Sequence, residues 1–196
     1  HRDLHSFPTR RSSDLLKFLG SKVTTDAGLL AYRERDEALG LTEMPQDLLR
    51  DSRVGSNKQH QLVPLLRQSI YSRLAGYEDV NDAERLSVDP AMRHVVGGRA
   101  ALADKRAAST SEVGRFETEI INTSSNLKKL MDLSGEWIDN VHRRKPPKQL
   151  ILDMDSSVSE TYGQQEGSAY NGHFECSCYH PLFLFNQDGD LERAML

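Results

Sequence analysis

The sequence is poor in the features that define several protein classes. It has two cysteines, Cys176 and Cys178, in 196 residues. They stand too close together to staple a fold, so a disulfide-built secreted scaffold is excluded and a reducing, cytoplasmic setting is the expectation. No run of about 18 apolar residues occurs, which leaves no membrane-spanning helix to read. No signal peptide is visible. Aromatic residues are only 7% of the chain and tryptophan occurs once, as Trp137. Positive charge is not in excess either: the formal net charge is -4. A uniformly basic coat is thereby excluded, and any nucleic-acid contact must come from local patches. No internal repeat or low-complexity tract breaks the chain.

What is present is charge of both signs, 28% of residues, on a hydrophobic fraction of 37%. The two ends are atypical. The chain opens at His1 and stops at Leu196 inside an apolar run, so a fragment is expected. The stretch HSFPTRRSSDL, residues 5–15, resembles a translated sequencing-library adapter, and residues 1–15 are set aside as an artefactual or disordered segment.

Residues 16–145 read as helical. The spacing predicts a helix from Thr24 to Leu41, capped by Thr24 or Thr25 and stopped near Gly40. Leu62, Leu65, Leu66, Ile70 and Leu74 trace the face of a second, with Pro64 in its first turn and Gly76 at its end. Asp82 is positioned to cap a brief helix to Leu86. Asp89-Pro90 pairs an N-cap with a first-turn proline. Residues 99–108 read as a loop, and Ser109 and Glu112 have capping-box spacing. Leu127, Leu130, Met131, Trp137, Ile138 and Val141 follow one face of a long last helix. Leu66, Ile70, Leu74, Leu130, Trp137 and Ile138 are the expected core.

The composition changes at HRRKPPKQ, residues 142–149, a basic Pro-Pro hinge. Residues 146–196 then carry strand signals: Gln149–Asp155, Tyr179–Phe185, and Leu191 onward after the turn NQDGD. The fold class expected is α+β.

The first of these strands ends in ILDMDSSV, residues 151–158. Side chains at i and i+2 of a strand share a face, so Asp153 and Asp155 lie side by side. Two adjacent carboxylates repel unless a cation or proton relieves them. Mg²⁺ takes oxygen ligands of this kind, commonly one or two carboxylates with phosphate oxygens of a substrate. A solvated loop cap is the plainer alternative. The motif also resembles the D-x-D-x-[TV] of haloacid-dehalogenase-type phosphatases, in which Asp153 would be nucleophile and Asp155 general acid. That motif usually opens its domain, whereas here about 130 helical residues precede it.

Four segments, in order, carry a second resemblance. VTTDAGLLAYRERDEALGL is similar to S-D-[AG]-G-L-L-x-x-R. LLRQSIYSRLAGYEDVNDAERLSVDPAMR is similar to a helix followed by G-Y-E-D-x-N-D-x-x-x-L-x-x-D-P. STSEVGRFE is a degraded S-x-x-T-x-x-R-x-E. LILDMDSSVSETYGQQEGSAYNGHFECSCYHPLFLF resembles a catalytic strand, a G-x-Q-E-G loop and a Y-x-P-L strand. Together they resemble the bacterial insertion-sequence DDE transposases of the group 1 type, over nearly all of residues 23–196.

The resemblance implies a helical N-terminal region followed by the start of a ribonuclease-H-like mixed sheet. It implies a DNA transposase that cuts and joins element ends by phosphoryl transfer with Mg²⁺ or Mn²⁺, and a homodimer as the working complex. Its DNA partners would be the terminal repeats and the target. Asp155, in the D-x-[ST] context of Asp155-Ser156-Ser157, would be the catalytic metal ligand, with Asp153 as neighbour or alternative. The second Asp and the Glu lie far downstream in such proteins, so this chain alone is expected to be inactive. A non-enzymatic helical DNA-binding protein is the remaining class, and it would leave the strands unexplained.

Basic residues supply candidate DNA contacts: Arg143, Arg144, Lys145 and Lys148 in the hinge, and Arg67 and Arg73 with Arg50, Arg53 and Lys58 around the second helix. Gln164 and Gln165, in the loop after the acidic strand, would orient phosphate or water, or simply hold the loop. His173, Cys176, Cys178 and His180 lie close in sequence, but C-x-C is not usual zinc spacing, and alternate packing along a strand is the expectation.

Overall fold

A computed structural model describes residues 23–54 and 58–196. The expectation for residues 1–15 lies outside the described residues. Among these there are seven α-helices: α1 Leu29–Leu39, α2 Pro45–Leu48, α3 Leu62–Leu74, α4 Ala83–Leu86, α5 Pro90–Val96, α6 Thr110–Arg115 and α7 Ser124–Arg144. The strands are β1 Leu152–Ser156, β2 Ser159–Glu160, β3 Ala169–Asn171, β4 Cys176–Tyr179, β5 Leu182–Asn186 and β6 Leu191–Met195. The fold is α+β.

Local chemistry sets several helix ends. The Asp89 carboxylate accepts the Met92 N–H at 2.8 Å and Pro90 opens α5. Ser109 and Glu112 complete a capping box at α6. Gly40 ends α1 at φ 80°, in the left-handed region that costs glycine little. Other ends differ from the sequence reading. Thr24 Oγ1 accepts the Asp26 N–H in a turn, and α1 starts only at Leu29. Asp82 caps nothing. Instead Asp79 caps a 3₁₀ turn over Val80–Asp82, accepting the Asn81 N–H at 2.8 Å. A π-turn over Phe116–Ile121 links α6 to α7 and buries Phe116 and Ile120.

The helices pack into two apolar clusters. One gathers Leu62, Leu65, Leu66, Val113, Phe116 and Ile120. The other gathers Leu29, Tyr71, Leu86, Met92, Val95 and Val96 around α5. Helix α3 feeds both, with leucines on one side and Tyr71 on the other. Of the expected core, Leu66 and Ile138 are buried, while Ile70, Leu130 and Trp137 are half-buried. Trp137 keeps its ring edge at the rim, where Nε1 donates to the Leu39 carbonyl at 3.1 Å. Leu74 is a correction: it is 48% exposed, because it stands at the end of α3.

Polar groups inside this region are paired. Gln68 bridges to residue 108, with Nε2 donating to the Ala108 carbonyl and Oε1 accepting its N–H. Asp36 accepts the Thr42 N–H at 2.8 Å and an Arg33 N–H at 3.1 Å, and lies 3.7 Å from Arg67. Tyr71 donates to the same carboxylate, and burial together with that negative charge pushes its phenol up to about 12. His60 is the exception: buried, with Nδ1 unpartnered among the described residues.

The strands form two three-stranded antiparallel sheets, β1-β5-β6 and β2-β4-β3. Ser156 faces Leu182 in the first, and Ser159 faces Tyr179 in the second. Three residues on along one strand is three back along the other, so both pairings keep one register. The sheets are therefore one ribbon, β1–β2 against β5–β4. Pro181 marks the break: its carbonyl accepts the Ser157 N–H at 3.0 Å, but it has no N–H to return. That missing donor splits the single expected strand Tyr179–Phe185 in two. The first strand begins at Leu152 rather than at residue 149, because residues 145–150, which include the two prolines, form bends and irregular coil.

The ribbon seats on α7 through β6. A Cβ at Gly135 would lie 2.6 Å from the Glu192 carbonyl oxygen. Ser134 Oγ donates to that carbonyl at 3.4 Å, and Arg193 pairs with Asp132 at 2.8 Å.

Two expectations follow. Gly135→Ala in an exposed helix would gain up to about 1 kcal/mol. Here the methyl must displace a backbone carbonyl, an overpacking cost of ~1–3 kcal/mol. Urea unfolding should show net destabilisation on the order of 1 kcal/mol; a gain would show that β6 does not sit against α7. The second concerns pH. Burial holds the His60 imidazole below its usual range, with Arg99 and Arg53 pushing the same way and Glu112 opposing. The unfolded chain takes up that proton first, near pH 6.5. Stability should therefore fall as pH drops through this value and keep falling until the folded ring titrates. Urea midpoints at pH 7.5 and 5.5 should differ more for the wild type than for His60→Gln. Equal differences would show that His60 is not shielded.

Candidate functional site

The register of the ribbon decides which side chains meet the acidic pair. Asp153 faces Phe185 and Asp155 faces Phe183, while Phe183 and Phe185 face Ala194 and Leu191 of β6. Directly paired residues of an antiparallel sheet point to the same side. One face of the ribbon thus carries Asp153, Asp155, Phe183 and Phe185. The two rings lie 6.2 Å apart beside the carboxylates. The opposite face carries Leu152, Met154 and Leu184. Leu152 and Leu184 line an open cavity of about 430 Å³ toward α7, with Gly135 and Asp139. Helix α7 therefore covers the side away from the acids and leaves their face open.

Both aspartates are exposed. Asp155 Oδ1 accepts the N–H of Ser156 at 2.8 Å, which fixes the carboxylate rotation and leaves Oδ2 clear. Among the described residues neither aspartate has a cationic partner. No three His, Cys, Asp or Glu side chains come together there as a metal-holding group. Two carboxylates on one open face, with no lysine or arginine relieving them, fit part of the oxygen shell of a hard divalent cation. They do not fill it. Strand β1 is also an edge strand, with Leu150, Ile151, Leu152 and Met154 all exposed.

The remaining candidates divide. Arg143, Arg144, Lys145 and Lys148 are exposed where α7 gives way to the ribbon. Arg143 donates to Asn140 Oδ1 at 2.7 Å, and none of the four is in an ion pair among the described residues. Cations suit a helix C-terminus, where backbone carbonyls point outward.

Arg67 is a correction. It is 5% exposed, donates through Nε to Thr42 Oγ1 at 2.8 Å, and pairs with Glu43 as well as Asp36. Its charge serves the inside of the helical region, and no phosphate can reach it. Arg73 is exposed but engaged by both Glu117 oxygens, at 2.8 and 3.0 Å. Burial alone would raise the Glu117 carboxyl; the hydrogen bonds from Arg73 and Ser69 outweigh it and hold the group low. Arg53 and Lys58 converge on Asp51, and Arg53 in particular holds that carboxyl down at about 2. The basic patch read around α3 is thus largely neutralised by nearby carboxylates.

Gln164 and Gln165 are exposed in the loop from β2 to β3. The Gln165 carbonyl accepts from Ser168 N at 3.1 Å and from its hydroxyl at 2.8 Å, so the backbone here holds the loop. His173 and His180 flank the ring of Phe174, at 4.8 and 5.6 Å, while Cys178 is buried and Cys176 half-buried. The ring contacts come from the turn before β4 and the residue after it, while Cys176 and Cys178 alternate within β4. Tyr170, at the ribbon's far end, is not among the residues the sequence points to. Its signal was an isolated exposed aromatic in a polar strand, which only the register makes interpretable.

Among the described residues no helix is long and apolar enough to cross a membrane. The family described as Transposase DDE domain group 1 matches residues 8–196, a span that includes residues 8–15 of the adapter-like stretch. No curated protein and no solved structure matches the chain.

Proposed function

The chain belongs to the Transposase DDE domain group 1 family, and from that premise we propose that it carries the first carboxylate strand of a DNA strand-transfer site. The observation that carries the reading is the open face of β1. Asp153 and Asp155 stand there side by side, with α7 on the other side of the sheet and no cationic partner among the described residues. The family match supports this reading over a dehalogenase-type phosphatase and over a non-enzymatic DNA binder.

Asp155 is the principal metal ligand in this reading. Its Oδ1 is oriented by the Ser156 N–H, so Oδ2 is presented outward at a fixed rotation. Asp153, one pleat back, adds negative potential and an alternative oxygen. A bound Mg²⁺ or Mn²⁺ would supply Lewis-acid activation of a water or 3′-hydroxyl for in-line attack on phosphorus. Phe183 and Phe185 lie beside the carboxylates on the same face. The basic stretch Arg143, Arg144, Lys145 and Lys148 holds the DNA backbone by charge, without sequence preference.

A complete site of this class needs further carboxylates, and the exposed apolar edge of β1 supports the docking of more sheet beside it. A ribonuclease-H-like mixed sheet has that form, with β1 inside and an added strand along its free edge. The 196 residues alone are then inactive as a nuclease, and the working transposase is a homodimer on its terminal repeats.

In the complete parent transposase, Asp155→Asn keeps the side-chain size and removes the charge that holds the cation. It should abolish excision of a donor element while leaving the gel shift on the terminal repeat intact, a loss of several kcal/mol of transition-state stabilisation. Asp153→Asn should cost less. Normal excision by Asp155→Asn with a dead Asp153→Asn would reverse the assignment. Normal excision by both would defeat the reading of this strand.

A further inference from the structure

The acidic face does not end at Asp155. Because β1–β2 and β5–β4 share one register, alternation carries the same face onward through Ser157, Ser159 and Thr161. The Thr161 N–H is donated to the Ser177 carbonyl at 2.9 Å, so the pairing extends one residue past β2. Ser177 in turn faces Tyr170 of β3. Across this end of the ribbon, Thr161, Ser177 and Tyr170 therefore form one row. Tyr170 is 69% exposed. Ser157, Ser159 and Ser177 are exposed, and among the described residues their hydroxyls have no protein partner. Glu160 alternates to the opposite face, so no carboxylate on these strands interrupts the row between Asp155 and Tyr170.

We propose that the face from Asp153 to Tyr170 is a track for a DNA strand, with Tyr170 as the platform on which an unpaired base stacks. The proposal rests on the reading of this chain as part of a DNA-acting site, and adds the position of the strand on it. Three physical features select this occupant. Serine hydroxyls are ordinary donors to phosphate oxygens, and those of Ser157, Ser159 and Ser177 are free for it among the described residues, whereas the Thr161 hydroxyl donates to the Ser177 carbonyl at 3.0 Å. A tyrosine ring that is 69% exposed offers a stacking surface that any base can use. The track also leads directly to the carboxylates. From Asp155 to Thr161 is six residues, about 20 Å at the rise of a strand. That spans several nucleotides of an extended strand, so the stacked base lies several nucleotides from the bond at Asp155.

The ribbon supplies its own control. Tyr162 is still more exposed, but it lies past β2, outside the paired row. The test uses the 196-residue chain and a single-stranded oligodeoxynucleotide carrying 2-aminopurine, read by fluorescence anisotropy over a salt series. Tyr170→Ala should weaken binding about 5- to 100-fold, the range of one lost base stack. Tyr170→Phe should bind as the wild type does, because the ring and not the hydroxyl is the platform. Tyr162→Ala should change nothing. The slope of log affinity against log salt should be unchanged in Tyr170→Ala, since no phosphate contact is lost. It should fall in Lys145→Ala/Lys148→Ala, where two are. Circular dichroism of each variant checks that the fold is kept. Wild-type affinity in Tyr170→Ala, an equal loss in Tyr162→Ala, or no oligonucleotide binding by the wild type would each overturn the proposal. The excision test on Asp155 is independent: it reads the cation seat in the parent protein, and neither result forces the other.

Discussion

The contact between Gly135 of α7 and the Glu192 carbonyl of β6 fixes how the two halves of this chain meet. Helix and strand approach so closely there that a methyl group would collide with the backbone. The contact is flanked by an ion pair, Asp132 with Arg193, and by the Ser134 hydroxyl. With β6 held against the helix, β5 and then β1 follow through the ladder. The face bearing Asp153 and Asp155 is thereby turned away from α7. A different seat for β6 would put the helix over the carboxylates.

The helical region solves a separate problem, that of keeping charge inside a small core. Asp36 and Arg67 are both buried, and the network works because every strong acceptor has a donor: Arg33, Thr42 and Tyr71 around the carboxylate, Thr42 and Glu43 around the guanidinium. Removing one partner of such a pair would strand the other, which is costly, whereas the intact pair itself adds little. The same economy neutralises Arg53, Lys58 and Arg73 nearer the surface. Among the described residues the run at the end of α7, next to the ribbon, is exposed and in no ion pair, and a polyanion would be useful there.

How far the sequence foretold this depends on the range of the interaction. Caps that act over three residues were legible: Asp89-Pro90 and Ser109 with Glu112 form as their spacing predicts. The alternation of Asp153 and Asp155 was legible too, since the strand period is fixed by the backbone. The fate of Arg67 was not. Its helical spacing suited a basic surface as well as a core, and only α1 and the loop carrying Thr42 and Glu43 show which way it faces. Leu74 failed for a related reason, since periodicity continues to the last turn of a helix even when its neighbours do not. Pro181 was visible, and its consequence could have been drawn: a missing N–H interrupts a ladder wherever it falls. Tyr170 needed the register of three strands, which no local pattern carries.

We place a divalent cation on the Asp153–Asp155 face. A paramagnetic Mn²⁺ titration of the ¹⁵N-labelled chain reads this residue by residue. Amide signals of residues 153–156, and of residues 182–185 across the ladder, should broaden first, at millimolar metal. They should be spared when Asp155 is replaced by Asn. Broadening that begins instead at Asp51 or Glu119, or that spreads evenly over the chain's carboxylates, would contradict this placement.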